Sequence, residues 1–245
     1  MNTKTALITG AARRIGAEIA RTLHQNGFNI VLHYHKSFDE AEALATALNA
    51  ERHNSVKLLQ GDIRDINNMP EFVNEAVSAW GQLDVLVNNA SSFYRTPFGS
   101  VTESDWDELH ASNVKSAFFL AQAAYPFLQK TKGNIINIID IHAKKPMREY
   151  SAYCVAKAGL LMATLSLAKE MAPEVRVNGV APGSIVWPEG ENTLTENIKQ
   201  HILERIPLAR HGEASDIAKA VLFLAQSTFI TGEIISVDGG RSLGI

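Results

Sequence analysis

Cysteine is almost missing from this chain: of 245 residues only Cys154 carries a thiol, which excludes an internal disulfide. An excess of one charge is missing too. Lys and Arg number 23 against 26 Asp and Glu, for a formal net charge of -3, and the two signs are intermixed along the sequence. That leaves no basic face for nucleic acid and no like-charged block to act as a tail. No apolar run of membrane length, signal-like leader, repeat, low-complexity stretch or linker-like segment is evident. These absences lead us to expect a single domain in a reducing cytoplasm, with neither nucleic acid nor a membrane as partner. What is present, 46% hydrophobic and 20% charged residues, suffices to bury a substantial core.

The apolar pattern alternates between two periods. Short buried-type runs at Thr5–Thr9, Asn29–His33, Val56–Gln60, Val85–Val87, Ile135–Ile139, Val175–Val180 and Ile234–Val237 read as strands. Between them, helical spacing covers Ile15–Gln25, Glu40–Leu48, Met69–Trp80, a long stretch from Trp106 to Leu128 with a turn or kink near Ser112, and Tyr153 to about Glu170. Two further helices fall around Ile198–Glu204 and Ser215–Leu224. Alternating strand and helix predicts an α/β fold, a Rossmann-like doubly wound parallel sheet with helices on both faces. Ligands are then expected at the carboxyl ends of the strands where the strand order reverses.

The first strand runs into Thr9-Gly10-Ala11-Ala12-Arg13-Arg14-Ile15-Gly16. Gly10 lets the chain turn sharply, Gly16 lets the helix pack closely, and free amides at the helix start attract a pyrophosphate. Arg14 stands where such a loop usually has its middle glycine. Arg13 and Arg14 either solvate the helix start or await an anion, and the second reading is favoured because cations are disfavoured beside the positive end of a helix dipole. A carboxylate ending the second strand would bind the ribose of NAD and repel the extra phosphate of NADP; here the chain reads His33-Tyr34-His35-Lys36-Ser37. His35, Lys36 and Ser37 with Arg13 or Arg14 make a donor-rich site for a 2′-phosphate, so NADPH is the expected cofactor. His33 and His35 share one strand face, as packing or as a metal pair, but no third ligand occurs at useful spacing and no metal is expected.

Tyr153 and Lys157, four residues apart, share one face of a helix, where the ammonium favours the ionised form of the phenol and makes the tyrosine a proton donor. Tyr-x-x-x-Lys also arises by chance on half-exposed helix faces, but here it follows the strand-like Asn134–Ile139 run and precedes Arg176-Val177-Asn178-Gly179-Val180-Ala181-Pro182-Gly183. Together with the glycine loop it points to hydride transfer from a nicotinamide completed by protonation. Asp140, thirteen residues before Tyr153, is either an acidic cap or part of that proton path.

Thr9 to Gly16, Asn88-Asn89-Ala90, Asn113, Tyr153-x-x-x-Lys157, Pro182-Gly183 and Asp238-Gly239-Gly240 resemble the motif set of the short-chain dehydrogenases/reductases over essentially the whole chain. Within that set, Gly-Ala-Ala-Arg-Arg-Ile-Gly, His-Tyr-His-Lys-Ser, Asn-Asn-Ala-Ser-Ser-Phe-Tyr and the aspartate at 140 resemble the pteridine reductases, which reduce oxidised and dihydro pterins and folates with NADPH. The resemblance implies one domain, with residues 1–90 mainly binding cofactor and 91–245 carrying the catalytic and substrate part. In it Gly10, Arg13, Arg14, Ile15 and Gly16 cradle the phosphates, Asp62 and Ile63 lie at the adenine, and Asn88, Ala90 and Ser91 line the cofactor. Tyr153 and Lys157 hold the nicotinamide ribose, Pro182, Gly183 and Ser184 border the nicotinamide, and Asn113 orders the helix and a water chain behind Lys157.

The same resemblance implies a pterin sandwiched between Phe93 and the nicotinamide and touched by Arg14 and Ser91. The stretch Ile185 to Thr195, including Trp187, would form a mobile substrate wall. Phe93 as ordinary loop packing is the alternative. Most of the superfamily has a serine at position 140, which donates to a carbonyl oxygen becoming anionic. An ionised aspartate would repel that oxygen, whereas a ring nitrogen needs a proton, which Asp140 and Tyr153 can relay. A homotetramer is implied, with the helix over Val114 to Leu128 between subunits. Two other readings stay open. One is a carbonyl reductase such as a 3-oxoacyl-carrier-protein reductase, and the other is a non-catalytic NADP(H)-binding sensor, which the joint retention of Tyr153, Lys157 and Asn113 disfavours.

Overall fold

In a computed structural model of the chain, which describes residues 3–187 and 195–244, the alternation forms one parallel sheet. Its elements in chain order are β1 (Thr5–Ile8), α1 (Arg14–Gln25), β2 (Asn29–Tyr34), α2 (Phe38–Glu51), β3 (Val56–Gln60), α3 (Met69–Ser78), β4 (Val85–Asn88) and α4 (Glu103–His110). They continue with α5 (Ser116–Thr131), β5 (Asn134–Ile138), α6 (Ser151–Met171), β6 (Arg176–Pro182), α7 (Glu196–Glu204), α8 (Ala214–Gln226) and β7 (Ile234–Val237). Among the described residues the sheet has seven strands in the order β3-β2-β1-β4-β5-β6-β7. The chain leaves β1 toward β2 on one side and β4 toward β5 on the other, so the carboxyl ends of β1 and β4 flank the switch point where a crevice opens.

The pleat sorts the core into two layers. In β1, Ile8 faces the layer built by Ile19 and Leu23 of α1, Leu44 of α2 and Val221 of α8. Leu7 faces the other, with Val73 of α3, Leu120 of α5 and Leu167 of α6. Both sides being covered explains why the strands read as continuous apolar runs rather than alternating ones.

The kink expected near Ser112 is a π-helical turn, Ala111–Lys115, between α4 and α5. Its cause is side-chain competition for the helix backbone: Ser112 Oγ donates to the Glu108 carbonyl (2.8 Å), Asn113 Nδ2 to the Leu109 carbonyl (2.9 Å) and Ser116 Oγ to the Ser112 carbonyl (3.0 Å). One expectation needs correction. α6, with 21 residues and a mean hydropathy of 1.4 over its most apolar stretch, is long and apolar enough to cross a membrane. Its length and apolarity have another cause in this fold, because it packs on the sheet with Leu160, Leu167, Ala168 and Met171 buried.

His33, at the end of β2, is a structural bridge. Its Nδ1 accepts from the Gly10 amide (3.1 Å) and its Nε2 lies 3.1 Å from the Gly61 carbonyl, which fixes the neutral tautomer with the proton on Nε2. Burial pushes its pKa down from 6.5 to about 4. The unfolded chain therefore takes up a proton first on acidification, so this stabilising contribution is complete above pH 6.5 and is lost as the pH falls toward 4. The loss amounts to about 3 kcal/mol. In urea titrations, His33→Gln should flatten the fall in stability between about pH 7 and pH 4 by roughly that amount; an unchanged slope would remove His33 as the acid-sensitive joint.

Candidate active site

Two loops are zipped together at the switch point. Thr9 Oγ1 accepts from the amides of Asn89 (2.9 Å) and Ala90 (3.0 Å), and Asn89 Nδ2 donates to the carbonyls of Thr9 (2.9 Å) and Gly10 (3.1 Å). This close approach is what the glycines serve. Gly10 turns with φ 62°, and a Cβ at Gly16 would sit 2.2 Å from the Gly10 carbonyl oxygen. Helix α1 opens directly above, with no acidic residue in its first turn. Its N-terminal dipole is therefore left for an external anion.

A cleft of about 920 Å³ runs from this loop across the sheet edge, in the size range of cofactor and substrate sites. Its lining includes Gly10, Arg13, Arg14, Ile15, Gly16, His35, Lys36 and Ser37 at one end. Ala90, Ser91, Phe93, Asp140, Tyr153, Lys157, Pro182, Gly183, Ser184 and Trp187 line the other. Lys36 is exposed and forms no ion pair among the described residues, while Arg13 Nη1 lies 3.4 Å from Glu40. Arg14 adopts φ 54°, unusual for a side-chain-bearing residue, and its Nη2 donates to the carbonyls of Val186 (3.2 Å) and Trp187 (3.1 Å). Arg14 thus ties the phosphate loop to the segment after β6.

The chemical centre lies where β5 ends. Asp140 caps the short 3-10 turn Ile141–Ala143: its Oδ1 accepts from the His142 amide at 2.8 Å, and its Oδ2 accepts from the Tyr153 hydroxyl at 2.7 Å. One oxygen of Asp140 thus realises the cap, and the other makes the contact with Tyr153 that a proton path would require. Lys157 Nζ donates to the Ile138 carbonyl (3.0 Å) and lies 5.8 Å from the Tyr153 ring centre. Phe93 stacks on Tyr150 at 4.7 Å and meets Tyr153 edge-on at 4.9 Å, so it packs within its loop region while still facing the cleft.

Electrostatics correct one expectation. The lysine does not win the contest for the phenol: burial first, and then the charge and hydrogen bond of Asp140, hold Tyr153 well above the ordinary tyrosine range. Tyr153 is a neutral phenol with its proton in place. Lys157 yields instead, pushed by burial down to about 8, against the opposing pull of Asp140.

The family description "Enoyl-(Acyl carrier protein) reductase" matches residues 10–242. The 3-oxoacyl-[acyl-carrier-protein] reductase of Staphylococcus aureus is 37% identical over 242 residues, covering 97% of this chain and 98% of that protein. Pteridine reductase 1 of Leishmania tarentolae is 34% identical over 280 residues, covering 97% and 96%. The chain is a short-chain dehydrogenase/reductase. Reductases of this family use NAD(P)H, and the cleft suits such a cofactor: a glycine-bordered helix start without acids, an exposed cation at the end of β2, and a buried ammonium beside a phenol.

Not every residue expected in the site faces the cleft of this short-chain dehydrogenase/reductase. Asp62 stands outside the lining, held by a bidentate Arg64 that keeps its carboxyl down at about 2. Ile63, Asn88 and Asn113 line a separate small cavity of about 10 Å³, room at most for a single water, that Lys157 also borders. Asn88 Nδ2 donates to Asn137 Oδ1 (2.8 Å), and Asn113 Oδ1 is buried without a partner among the described residues. Trp187 stacks on His211 at 4.0 Å. Of the substrate wall expected from Ile185 to Thr195, residues 188–194 lie outside the described residues. Sequence reasoning missed Tyr150, Met147, Arg148 and Arg241, which also line the cleft; the only local hint was the aromatic Tyr150 just before α6.

Proposed function

We propose that this oxidoreductase reduces a carbon–nitrogen double bond in a pterin or folate ring, using NADPH. The observation that carries the reading is the 2.7 Å bond from the Tyr153 hydroxyl to Asp140 Oδ2. A carboxylate beside the donor would oppose an oxyanion forming at a ketone, whereas reduction of a ring imine creates no oxyanion and requires a proton at nitrogen. When bound, NADPH supplies the hydride. Tyr153 holds the proton to be delivered, Asp140 connects it to the cleft, Lys157 fixes the cofactor side of the phenol, and Phe93 with Tyr150 forms an aromatic wall for a flat ring.

Lys36 supports the choice of NADPH. Lys36→Glu places a carboxylate where a 2′-phosphate would sit, and its expected effect is a roughly ten- to hundredfold rise in KM for NADPH. The KM for NADH should change by less than about threefold. Steady-state titration of both cofactors decides the matter, and an unaltered preference removes Lys36 from the site. The homotetramer implied by the resemblance belongs to the same proposal: exposed Phe118 on α5 and Val155 and Met162 on α6 are apolar side chains that second copies would cover. A monomeric mass in sedimentation equilibrium would exclude it.

A second reading, reduction of a 3-oxoacyl thioester, is favoured by the 37% identity to the Staphylococcus aureus protein. The deciding experiment is NADPH oxidation by the purified protein with dihydrobiopterin, dihydrofolate and biopterin beside an acetoacetyl thioester, at mildly acidic and neutral pH. Turnover of pterins alone establishes the first reading and turnover of the thioester alone the second. Cofactor binding without turnover of either would point to a sensor.

A further inference from the structure

Beyond β7 the chain folds back on a turn that the chemistry proposed for the cleft leaves without a role. Gly239 and Gly240 are both left-handed, with φ of 62° and 86°. Asp238 locks the turn: its Oδ1 accepts from the Gly240 amide (2.9 Å), its Oδ2 from the Ser242 amide (2.8 Å), and its backbone carbonyl from the Arg241 amide (3.1 Å). The turn is seated on the strand end that borders the cleft, since a Cβ on Gly183 would come within 2.6 Å of Asp238 Cβ. This construction delivers Arg241 into the cleft wall shared by Asp140, Tyr153 and Trp187.

Arg241 is half-buried there, and its Nε is buried with no hydrogen-bond partner among the described residues. Its charged surroundings are Asp140, Asp238 and Arg205 rather than the cationic group at the end of β2. It therefore sits at the chemical end of the cleft and away from the phosphate loop. A guanidinium carries five N–H donors, so the half-buried Arg241 still has donors to offer a ligand in the cleft.

We propose that Arg241 is a substrate-binding residue, donating a charge-assisted hydrogen bond to an acceptor atom of the substrate ring beside the Asp140–Tyr153 pair. A guanidinium offers only donors and a carboxylate only acceptors. On one cleft wall, Arg241 and Asp140 complement a flat heteroaromatic ring that presents both an N–H and a carbonyl or ring nitrogen. A 3-oxoacyl chain, whose keto and thioester oxygens are both acceptors, gives the carboxylate nothing to accept. The inference rests on the pterin reading of the site and adds the residue that selects for it.

The test is equilibrium binding of biopterin to the protein saturated with NADP⁺, where no turnover occurs, for wild type, Arg241→Met, Arg241→Gln and Arg241→Lys. Loss of a charged hydrogen bond predicts biopterin affinity weakened roughly tenfold or more in the Met and Gln variants and less in the Lys variant. NADPH binding and near-ultraviolet circular dichroism should match wild type, which separates a binding role from a misfolded C-terminal turn. If one variant fails to fold, the others carry the test. Biopterin affinity within about twofold of wild type in a folded Met or Gln variant overturns the assignment of Arg241 while leaving the pterin reading intact. A wild-type protein that binds no pterin overturns both.

Discussion

Tyr153→Phe lowers turnover by roughly 10²- to 10⁴-fold while NADPH still binds, the range expected when a positioned general acid is removed. The substitution deletes one oxygen from a side chain that is otherwise fixed by its surroundings. The ring stays buried, edge-on to Phe93 at 4.9 Å, and Lys157 keeps its bond to the Ile138 carbonyl. What disappears is the donor to Asp140 Oδ2. Because burial and Asp140 hold the phenol in its neutral form, the wild-type side chain carries its proton across the whole neutral range and acts as a donor. The ammonium is the group that titrates nearby, since Lys157 is pushed to about 8. Fluorescence titration of NADPH and steady-state oxidation assays on the same preparation separate the two effects. Turnover retained within about threefold would mean that Tyr153 is not the acid and that the proton enters another way.

The scaffold was legible because its signals are local. Buried strands alternate with helices of clear period, Gly10 and Gly16 sit where a close approach demands them, and the Ser112, Asn113 and Ser116 side chains that unwind one helical turn reveal themselves as a kink. The composition of the site was legible for the same reason: Asp140, Tyr153 and Lys157 are close in sequence and come together in space. Its electrostatics were not. The spacing of Tyr153 and Lys157 suggests that the lysine controls the phenol, but only the packed structure shows how deeply both are buried and which oxygen of Asp140 reaches the hydroxyl. The bridging role of His33 was not legible, because the amide of Gly10 and the carbonyl of Gly61 that it joins come from different loops. Arg241 follows the Asp238-Gly239-Gly240 motif directly, but its place in the cleft was not legible, since it depends on a turn locked by Asp238 about a hundred residues after Asp140. Contacts set by topology rather than by spacing are where sequence reasoning stops.

Asp140→Ser should reverse the preference between the two substrate classes. A serine at this position offers a neutral hydroxyl that donates, the arrangement suited to a carbonyl oxygen gaining negative charge, where a carboxylate would oppose it. Turnover of dihydrobiopterin is expected to fall roughly a hundredfold, as the partner that connects Tyr153 to the cleft is lost, while reduction of an acetoacetyl thioester emerges or rises. The cap itself is kept, because serine is a good cap and can replace Asp140 Oδ1 as acceptor for the His142 amide. Asp140→Asn completes the comparison. It keeps the shape and an acceptor but cannot take and return a proton, so it should lose pterin turnover as serine does and gain less toward the ketone. If Asp140→Ser and Asp140→Asn both retain pterin turnover within about threefold, the carboxylate serves only as the cap of Ile141–Ala143. Proton delivery to nitrogen through Asp140 is then excluded, and the 3-oxoacyl reading becomes the better account of the cleft.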